Sequence, residues 1–191
     1  MNGEEFTEQY CQKIKPLDDN WNAKTLDYLK KLAIPEKGLG DLNELAIQLV
    51  SAAKTLTPQI TSKCVVIMAA DHGIVDENIS RLPRVTNSIV NTILNGGAAI
   101  NILSKDAGCD LKVVDVGIAG DLKSCMNNDN FFSKYINKTG TNNFLHAAAM
   151  SEEQCLQALK VGIEIAEGLS HRYDIFGMGD AGIGNTTSAA A

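Results

Sequence analysis

A glycine-rich segment near the end of the chain carries residue types that bind a phosphate group. Gly177–Thr187 follows an apolar run, and Gly182 and Gly184 let backbone N–H groups approach an anion closely. Asn185 then adds an amide at a predicted helix N-terminus, where an anion is stabilised. The alternative is a flexible turn in which a threonine caps the helix. The residues predicted to hold the phosphate are Gly182, Ile183, Gly184, Asn185 and Thr186, with Thr187 as a further candidate.

The same segment also contains the spacing of a dinucleotide-binding turn. Gly177, Gly179 and Gly182 satisfy G-x-G-x-x-G after a predicted strand, which keeps a nicotinamide-dependent oxidoreductase as an alternative. The acidic ribose partner, expected about 20 residues later, would lie beyond the end of the chain. The segment is not a Walker loop, because no lysine follows the glycines.

A second polar turn, Asp71-His72-Gly73, follows the apolar run Cys64–Ala70. A carboxylate and an imidazole at the end of a strand can line a pocket, and Asp71 can orient His72. The alternative is that Asp71 caps local backbone and His72 is simply packed. No other histidine lies near in sequence and the cysteines form no C-x-x-C pair. We therefore expect no metal and no cofactor.

Alternating helices and strands must position these turns. The apolar, β-branched run Cys64–Ala70 predicts a buried parallel strand. Helices are predicted over residues 86–104, interrupted by Gly96-Gly97, and from a capping box at Ser151 to about Leu169. Residues 120–145 predict a long polar excursion. Further strands are predicted at Leu111–Val116 and Tyr173–Phe176. This order predicts an α/β fold with a mainly parallel sheet and flanking helices.

The predicted organisation is a small helical appendage over residues 1–35 and an α/β domain over residues 36–191. The chain stops at Ser188–Ala191, which is typical of the first turn of a helix. We therefore expect the α/β domain to be truncated. An incomplete domain should leave apolar strand residues partly exposed, and the residues concerned are Val65, Ile67, Val114 and Ile175.

Composition excludes several classes of protein. The net charge of −6 argues against a duplex-DNA or anionic-membrane binder, which needs a surplus of cations. The longest unbroken apolar run spans seven residues, whereas a membrane helix needs about 20. The first ten residues have neither a basic start nor an apolar stretch, so no secretory signal is predicted. We expect a soluble, cytoplasmic protein with no nucleic-acid or membrane partner.

From Pro35 to Ala191 the chain resembles the amino-terminal part of the nicotinate-nucleotide–dimethylbenzimidazole phosphoribosyltransferase family, which assembles the cobalamin lower ligand. The order and spacing of several blocks make the match specific. Those blocks are Gly38–Ala46, Ala69–Ile74, Val85-Thr86, Asn95–Asn101, Val114–Ile118, Thr139–Phe144 and Gly182–Thr187.

The resemblance implies a Rossmann-like α/β domain with a small helical domain, in a homodimer. The implied reaction moves the 5-phosphoribosyl group from nicotinate mononucleotide to a nitrogen of 5,6-dimethylbenzimidazole. The leaving pyridinium is already cationic at its ring nitrogen, so the reaction needs no metal. The family's proton acceptor is a glutamate expected beyond Ala191, and we therefore expect no catalytic residue within this chain.

Carried over by position, Gly182–Thr186 would hold the nucleotide phosphate and Ser80 would contact the aromatic base. Asp71 and Ser88 are the other predicted base-binding residues, and Asp180 and His72 are further candidates. Ser88 stands where the family has a glutamine.

Other departures from the family pattern also fall at the base pocket. Gly38 and Asp41 replace a serine and an arginine, Asp180 replaces a glutamate, and the segment Pro83–Thr86 is one residue short. The accepted base therefore stays open, with a purine or a phenol as alternatives to dimethylbenzimidazole. A further alternative is a non-catalytic or half-site subunit that needs a partner chain.

Overall fold

The computed structural model describes residues 3–35 and 38–191. Residues 1 and 2 of the predicted appendage and residues 36 and 37 of the loop after Pro35 lie outside the described residues. The chain divides into two compact units, Met1–Ile60 and Thr61–Ala191.

The first unit is helical, with α1 (Gly3–Cys11), α2 (Asp19–Leu29) and α3 (Leu42–Ala53). The Asp18 carboxylate caps α2 by accepting a hydrogen bond from the backbone N–H of Asn20. The Ser51 hydroxyl of α3 donates to the Asn22 side chain of α2 at 2.6 Å. Since α3 packs on α2, the unit ends at Ile60, later than the predicted boundary at residue 35.

The second unit is a four-stranded parallel sheet in the order β3-β2-β1-β4. The predicted α/β fold is confirmed. Its strands are β1 (Lys63–Ala70), β2 (Cys109–Gly117), β3 (Phe131–Ser133) and β4 (Ile175–Ala181). Its helices are α4 (Thr86–Leu94), α5 (Ala99–Asp106), α6 (Glu152–Ser170) and α7 (Asn185–Ala190), with 3₁₀ turns at Gly73–Glu77 and Lys123–Cys125.

Side chains alternate along a strand, so the central strands present side chains to both faces of the sheet. Both sets are apolar, and helices cover both faces. Ile67 and Ala69 of β1 lie in one apolar cluster with Val90 and Ile93 of α4. The opposite cluster joins strand residues to α6, and it contains Cys64, Val66, Val114, Val161, Ile165 and Leu169. The capping box that opens α6 is also confirmed, since Ser151 and Gln154 exchange hydrogen bonds of 2.9 and 3.2 Å.

Three details differ from the sequence-based expectations. The polar excursion contains an additional strand, β3, which pairs with β2. The last strand begins at Ile175 and continues through the glycines to Ala181, because it pairs along β1. Ile67 and Val114 are 6% and 0% exposed, so their predicted exposure is wrong. Ile175, in β4, is 43% exposed as predicted.

In the part of the chain that the structure describes, every helix is too short or too polar to cross a lipid bilayer.

Candidate functional site

The turn after β1 is a buried junction organised by Asp71, which is 1% exposed. Its carboxylate accepts hydrogen bonds from the Thr86 hydroxyl at 2.6 Å and from the Ala119 N–H at 2.7 Å. Its backbone N–H donates to Gly117, and its carbonyl accepts from Thr141. Both carboxylate oxygens are therefore occupied by the protein. This placement favours the interpretation that Asp71 caps local backbone over the one in which it contacts a base.

Two glycines allow neighbouring loops to reach this junction. A Cβ at Gly140, where φ is +77°, would overlap the carbonyl oxygen of Asp71. A Cβ at Gly73 would overlap the backbone of Asn142 and Asn143. The block Thr139–Phe144, which contributed to the family resemblance, thus serves close backbone packing on the turn after β1.

Asp115, at the end of β2, belongs to the same junction and was not singled out from the sequence. It is 5% exposed, and its carboxylate accepts from the N–H groups of Gly117 at 3.0 Å and Ile118 at 2.9 Å. Burial raises the pKa of Asp115, and the Asp71 carboxylate adds to that rise, while the two backbone bonds oppose it. A charged residue inside the apolar run Leu111–Val116 was the available sequence signal.

His72, the next residue, contacts the segment after β4. Its Nδ1 lies 2.9 Å from the hydroxyl oxygen of Ser188. Burial lowers the pKa of His72, although the carboxylates of Asp180 and Asp71 act in the opposite direction. The half-buried imidazole is therefore predominantly neutral near pH 7.

We call Gly182–Thr187 the glycine–threonine loop. A Cβ at Gly182 would overlap the carbonyl oxygen of Ala70 and lie 3.1 Å from Cδ2 of His72. Gly184 has a φ of +88°, and a Cβ there would lie 3.0 Å from the Val75 side chain. The first glycine therefore permits a close approach, and the second a left-handed backbone conformation. The loop lies directly on the residues that follow β1.

Hydrogen-bond donors in this loop are left available. The Asn185 amide donates to Asp180 at 2.7 Å, and its oxygen accepts from the Thr186 N–H at 2.9 Å. Among the described residues, however, no hydrogen-bond partner exists for the N–H groups of Ile183 and Gly184 or for the exposed Thr186 hydroxyl. N–H and O–H donors without a protein partner are available to bind an anion.

No hydrogen bond joins the two predicted base-binding serines, Ser80 and Ser88. Ser80 accepts a hydrogen bond from the Leu82 N–H at 3.0 Å, whereas Ser88 is exposed in the first turn of α4. Arg84, which lies between the two serines in sequence, forms an ion pair of 2.7 Å with Asp76.

A cavity of about 170 Å³ lies near the carboxyl ends of β1 and β2, on the side covered by α6. Neither Ser80 nor Ser88 lines it. Its walls are largely apolar and include His72, Val116, Ile136, Thr141, Met150 and Ala158.

The structure removes the basis of the dinucleotide-binding alternative. Gly177 and Gly179 lie inside β4, opposite Val65 and Ile67 of β1. A dinucleotide fingerprint needs its first glycine in the turn after a strand. The spacing G-x-G-x-x-G is therefore coincidental here.

Comparison with known proteins gives a consistent result. A family model described as phosphoribosyltransferase matches residues 14–191. Nicotinate-nucleotide–dimethylbenzimidazole phosphoribosyltransferase of Syntrophotalea carbinolica is 39% identical over 180 residues, which are 94% of this chain and 51% of the relative. The Clostridium acetobutylicum protein of the same name is 34% identical over 186 residues, 96% of this chain and 51% of the relative.

A solved structure carries the same name. The crystal structure of nicotinate-nucleotide-dimethylbenzimidazole phosphoribosyltransferase from Thermus thermophilus superposes with a TM-score of 0.84 at 33% identity. The superposition covers 91% of this chain and 52% of that one. The chain thus spans about half the length of the relatives it matches.

Proposed function

The chain belongs to the phosphoribosyltransferase family, and we propose that its glycine–threonine loop holds the phosphate of nicotinate mononucleotide. The observation that supports this most directly is the set of unpaired donors at Ile183, Gly184 and Thr186 among the described residues. Gly182 and Gly184 give an anion access to the backbone. The Asn185 side chain, held by Asp180, fixes the conformation of the loop.

The proposed reaction transfers the 5-phosphoribosyl group from nicotinate mononucleotide to 5,6-dimethylbenzimidazole or a related base. The products are an α-riboside phosphate and nicotinate. The bond from the ribose carbon to the pyridinium nitrogen breaks with its electron pair on nicotinate, and a base nitrogen forms the new bond. The attacking base then gives its ring N–H proton to a general base, for which the family resemblance implies a glutamate. Holding the phosphate fixes the ribose carbon relative to the incoming nitrogen, which is how such a site lowers the barrier.

Phosphate binding can be tested by calorimetry with nicotinate mononucleotide. Gly184→Val should reduce affinity more than tenfold, because valine is strained at a positive φ. Thr186→Ala should reduce affinity about two- to tenfold through loss of one hydroxyl donor. Thr92→Ala, an exposed threonine in α4, is the matched control and should bind as the unaltered chain does. Unchanged affinity in both loop variants, with circular dichroism showing that they are folded, would refute the proposal.

For the acceptor, we propose a pocket with Ser80 and Ser88 that is not tuned tightly to dimethylbenzimidazole. A serine hydroxyl at position 88 is shorter than the family's glutamine amide, so a hydrogen bond that discriminates among aromatic bases is weakened. Affinities for dimethylbenzimidazole, adenine and phenol should fall within about tenfold of each other, and Ser88→Gln should widen the spread. A preference of the unaltered chain for dimethylbenzimidazole above about a hundredfold would contradict this.

A half-site subunit completed by another chain is the second candidate. One observation favours it: β4 pairs only with β1 among the described strands, and Ile175 and Met178 are 43% and 65% exposed. A further polypeptide would cover these side chains. Nicotinate release by the chain alone, with a benzimidazole acceptor present, distinguishes the candidates. Turnover by the isolated chain excludes the half-site role, whereas turnover only after adding a partner chain supports it.

We further propose that the protein forms a homodimer and is cytoplasmic. The family resemblance supports the dimer, and the net charge of −6 agrees with a protein that avoids anionic membranes and nucleic acids. Light scattering of the purified chain measures the oligomeric state. A strictly monomeric species across the accessible concentration range would refute the dimer.

A further inference from the structure

We propose that His72 is a positioning residue, which holds the glycine–threonine loop in a phosphate-binding conformation through Ser188. This inference rests on the proposed function of that loop. The hydrogen bond between His72 Nδ1 and the Ser188 hydroxyl is 2.9 Å long and joins residues 116 positions apart. It is a side-chain link between the turn after β1 and α7, the helix that begins at the loop.

Close packing around the imidazole makes this link specific to one loop conformation. Gly182 approaches Cδ2 of His72, and an added Cβ would lie 3.1 Å from it. An added Cβ at Gly184 would lie 3.4 Å from the Cβ of His72 and 3.2 Å from Ile74. The loop therefore packs on the segment His72–Val75. A displacement of the imidazole ring would displace the surface on which the loop packs.

Ser188 transmits this constraint to the donors. Its N–H donates to the carbonyl of Gly184 at 3.1 Å, so its backbone closes the turn that contains Asn185 and Thr186. Its side chain is the part that His72 holds. Holding both the backbone N–H and the side chain of Ser188 restrains the backbone from Gly184 to Ser188, which carries Thr186 and adjoins the N–H of Gly184. A preorganised loop binds its ligand more tightly, because less conformational entropy is lost on binding.

The charged groups around His72 leave its ring suited to this role. Asp180 and Asp71 are the carboxylates that act on it, and Asp71 is already occupied by Thr86 and Ala119. A neutral imidazole has one donor and one acceptor nitrogen, and a hydroxyl can pair with either. The link to Ser188 therefore does not require a protonated ring.

Two conservative replacements of His72 distinguish the roles of its two ring nitrogens. The side-chain amide of asparagine places a polar atom near the position of Nδ1, whereas glutamine reaches the position of Nε2. His72→Asn should thus keep the link to Ser188, and His72→Gln should lose it. Ser188→Ala removes the partner, and Thr92→Ala is the control for an unrelated hydroxyl.

The affinity of the full chain for nicotinate mononucleotide is the first measurement. We expect Ser188→Ala and His72→Gln each to raise Kd about two- to tenfold, the effect of one lost hydrogen bond. The double variant should be no weaker than the weaker single variant, because both changes break the same link. His72→Asn should remain within about twofold of the unaltered chain. Losses that multiply in the double variant, or an unaltered Kd in both single variants, would overturn the proposal.

Hydrogen exchange at the hydrogen-bonded amides of Asn185, Thr186 and Ser188 is a second measurement that needs no ligand. Exchange should be faster in Ser188→Ala and His72→Gln, and close to normal in His72→Asn. If the unaltered chain does not bind nicotinate mononucleotide or ribose 5-phosphate, the proposed function fails, while the exchange data still decide whether His72 positions the loop. Identical exchange in all variants would overturn the positioning role even if the chain binds nucleotide.

Discussion

The turn after β1 and the glycine–threonine loop after β4 follow the carboxyl ends of two neighbouring parallel strands. Both segments are rich in polar residues and glycine. In the turn after β1, the polar groups of Asp71 are used by the protein itself. In the loop after β4, donors at Ile183, Gly184 and Thr186 have no partner among the described residues. The contrast shows that polar groups at a strand end can be occupied by the protein's own packing or left without a partner among the described residues.

Burial accounts for the difference between the two regions. Asp71 lies between loops that follow β2 and β3, which supply the N–H groups of Ala119 and Thr141. β4 is an edge strand with a single strand neighbour in the described part of the chain, so fewer loops surround its carboxyl end. The first region should therefore respond to substitution with lost stability, and the second with lost binding.

The largest effect is expected where a side chain would enter the buried junction. Gly140→Ala places a Cβ against the carbonyl oxygen of Asp71 at a φ of +77°. Overpacking and the left-handed conformation together should lower the free energy of unfolding by about 4 kcal/mol. Gly162→Ala, at a helical position with no atom near the added Cβ, should instead stabilise by about 0.5–1 kcal/mol. Urea denaturation of both variants tests this contrast, and equal stabilities would contradict it.

The sequence predicted most of the strands and helices, but it did not predict how the polar residues of the candidate site are used. The β-branched run Cys64–Ala70 and the Ser151 capping box are strong local signals, and both predictions were confirmed. The three-residue strand β3 was missed because asparagines surround it and its pairing with β2 is non-local. The extension of β4 through Gly177 and Gly179 was missed for a related reason, since pairing with β1 overrides the low strand preference of glycine.

The role of Asp71 could not be read from its residue type. A carboxylate at a strand end has the same sequence signature whether it faces a ligand or accepts hydrogen bonds from neighbouring loops. Its partners Thr86 and Ala119 are 15 and 48 residues away, so only the fold reveals that its oxygens are occupied. The predicted phosphate-binding residues were easier to place together, because all of them are consecutive in sequence.

Removing the carboxylate of the junction should have the second largest effect. Asp71→Ala leaves the buried hydroxyl of Thr86 and the half-buried N–H of Ala119 without an acceptor, which should cost about 3 kcal/mol. Asp71→Asn keeps one acceptor oxygen and should cost about half as much. Denaturant midpoints of the two variants measure the order. An alanine variant as stable as the unaltered chain would show that Asp71 is not a structural junction.

Two aspartates should give opposite pH dependences. Burial raises the pKa of Asp115 in the folded chain, so its favourable contribution is complete below the unfolded pKa and is lost as pH rises through the folded value. Asp174 accepts hydrogen bonds from the backbone and hydroxyls of Thr61 and Ser62, which lower its pKa to about 2. Its contribution is present above the unfolded pKa of about 3.9 and is lost as pH falls towards 2.

Thermal melts of Asp115→Asn and Asp174→Asn across a pH range of about 2 to 7 separate these two effects. Asparagine keeps an acceptor for Gly117 and Ile118, so Asp115→Asn should match the unaltered chain at low pH and become more stable than it as pH rises. Asp174→Asn should be less stable than the unaltered chain at neutral pH, with the gap closing in acid. Parallel pH profiles for both variants and the unaltered chain would contradict the assigned pKa shifts.

The smallest effect on stability is expected in the glycine–threonine loop. The Thr186 hydroxyl is exposed and bonds to no described residue, so Thr186→Ala should change the free energy of unfolding by no more than about 0.5 kcal/mol. The same change should weaken binding of nicotinate mononucleotide about two- to tenfold. Asp71→Asn, in contrast, should lower stability without removing a donor from the loop. A Thr186→Ala variant that loses stability but not affinity would mean that the loop, like the turn after β1, is a packing element.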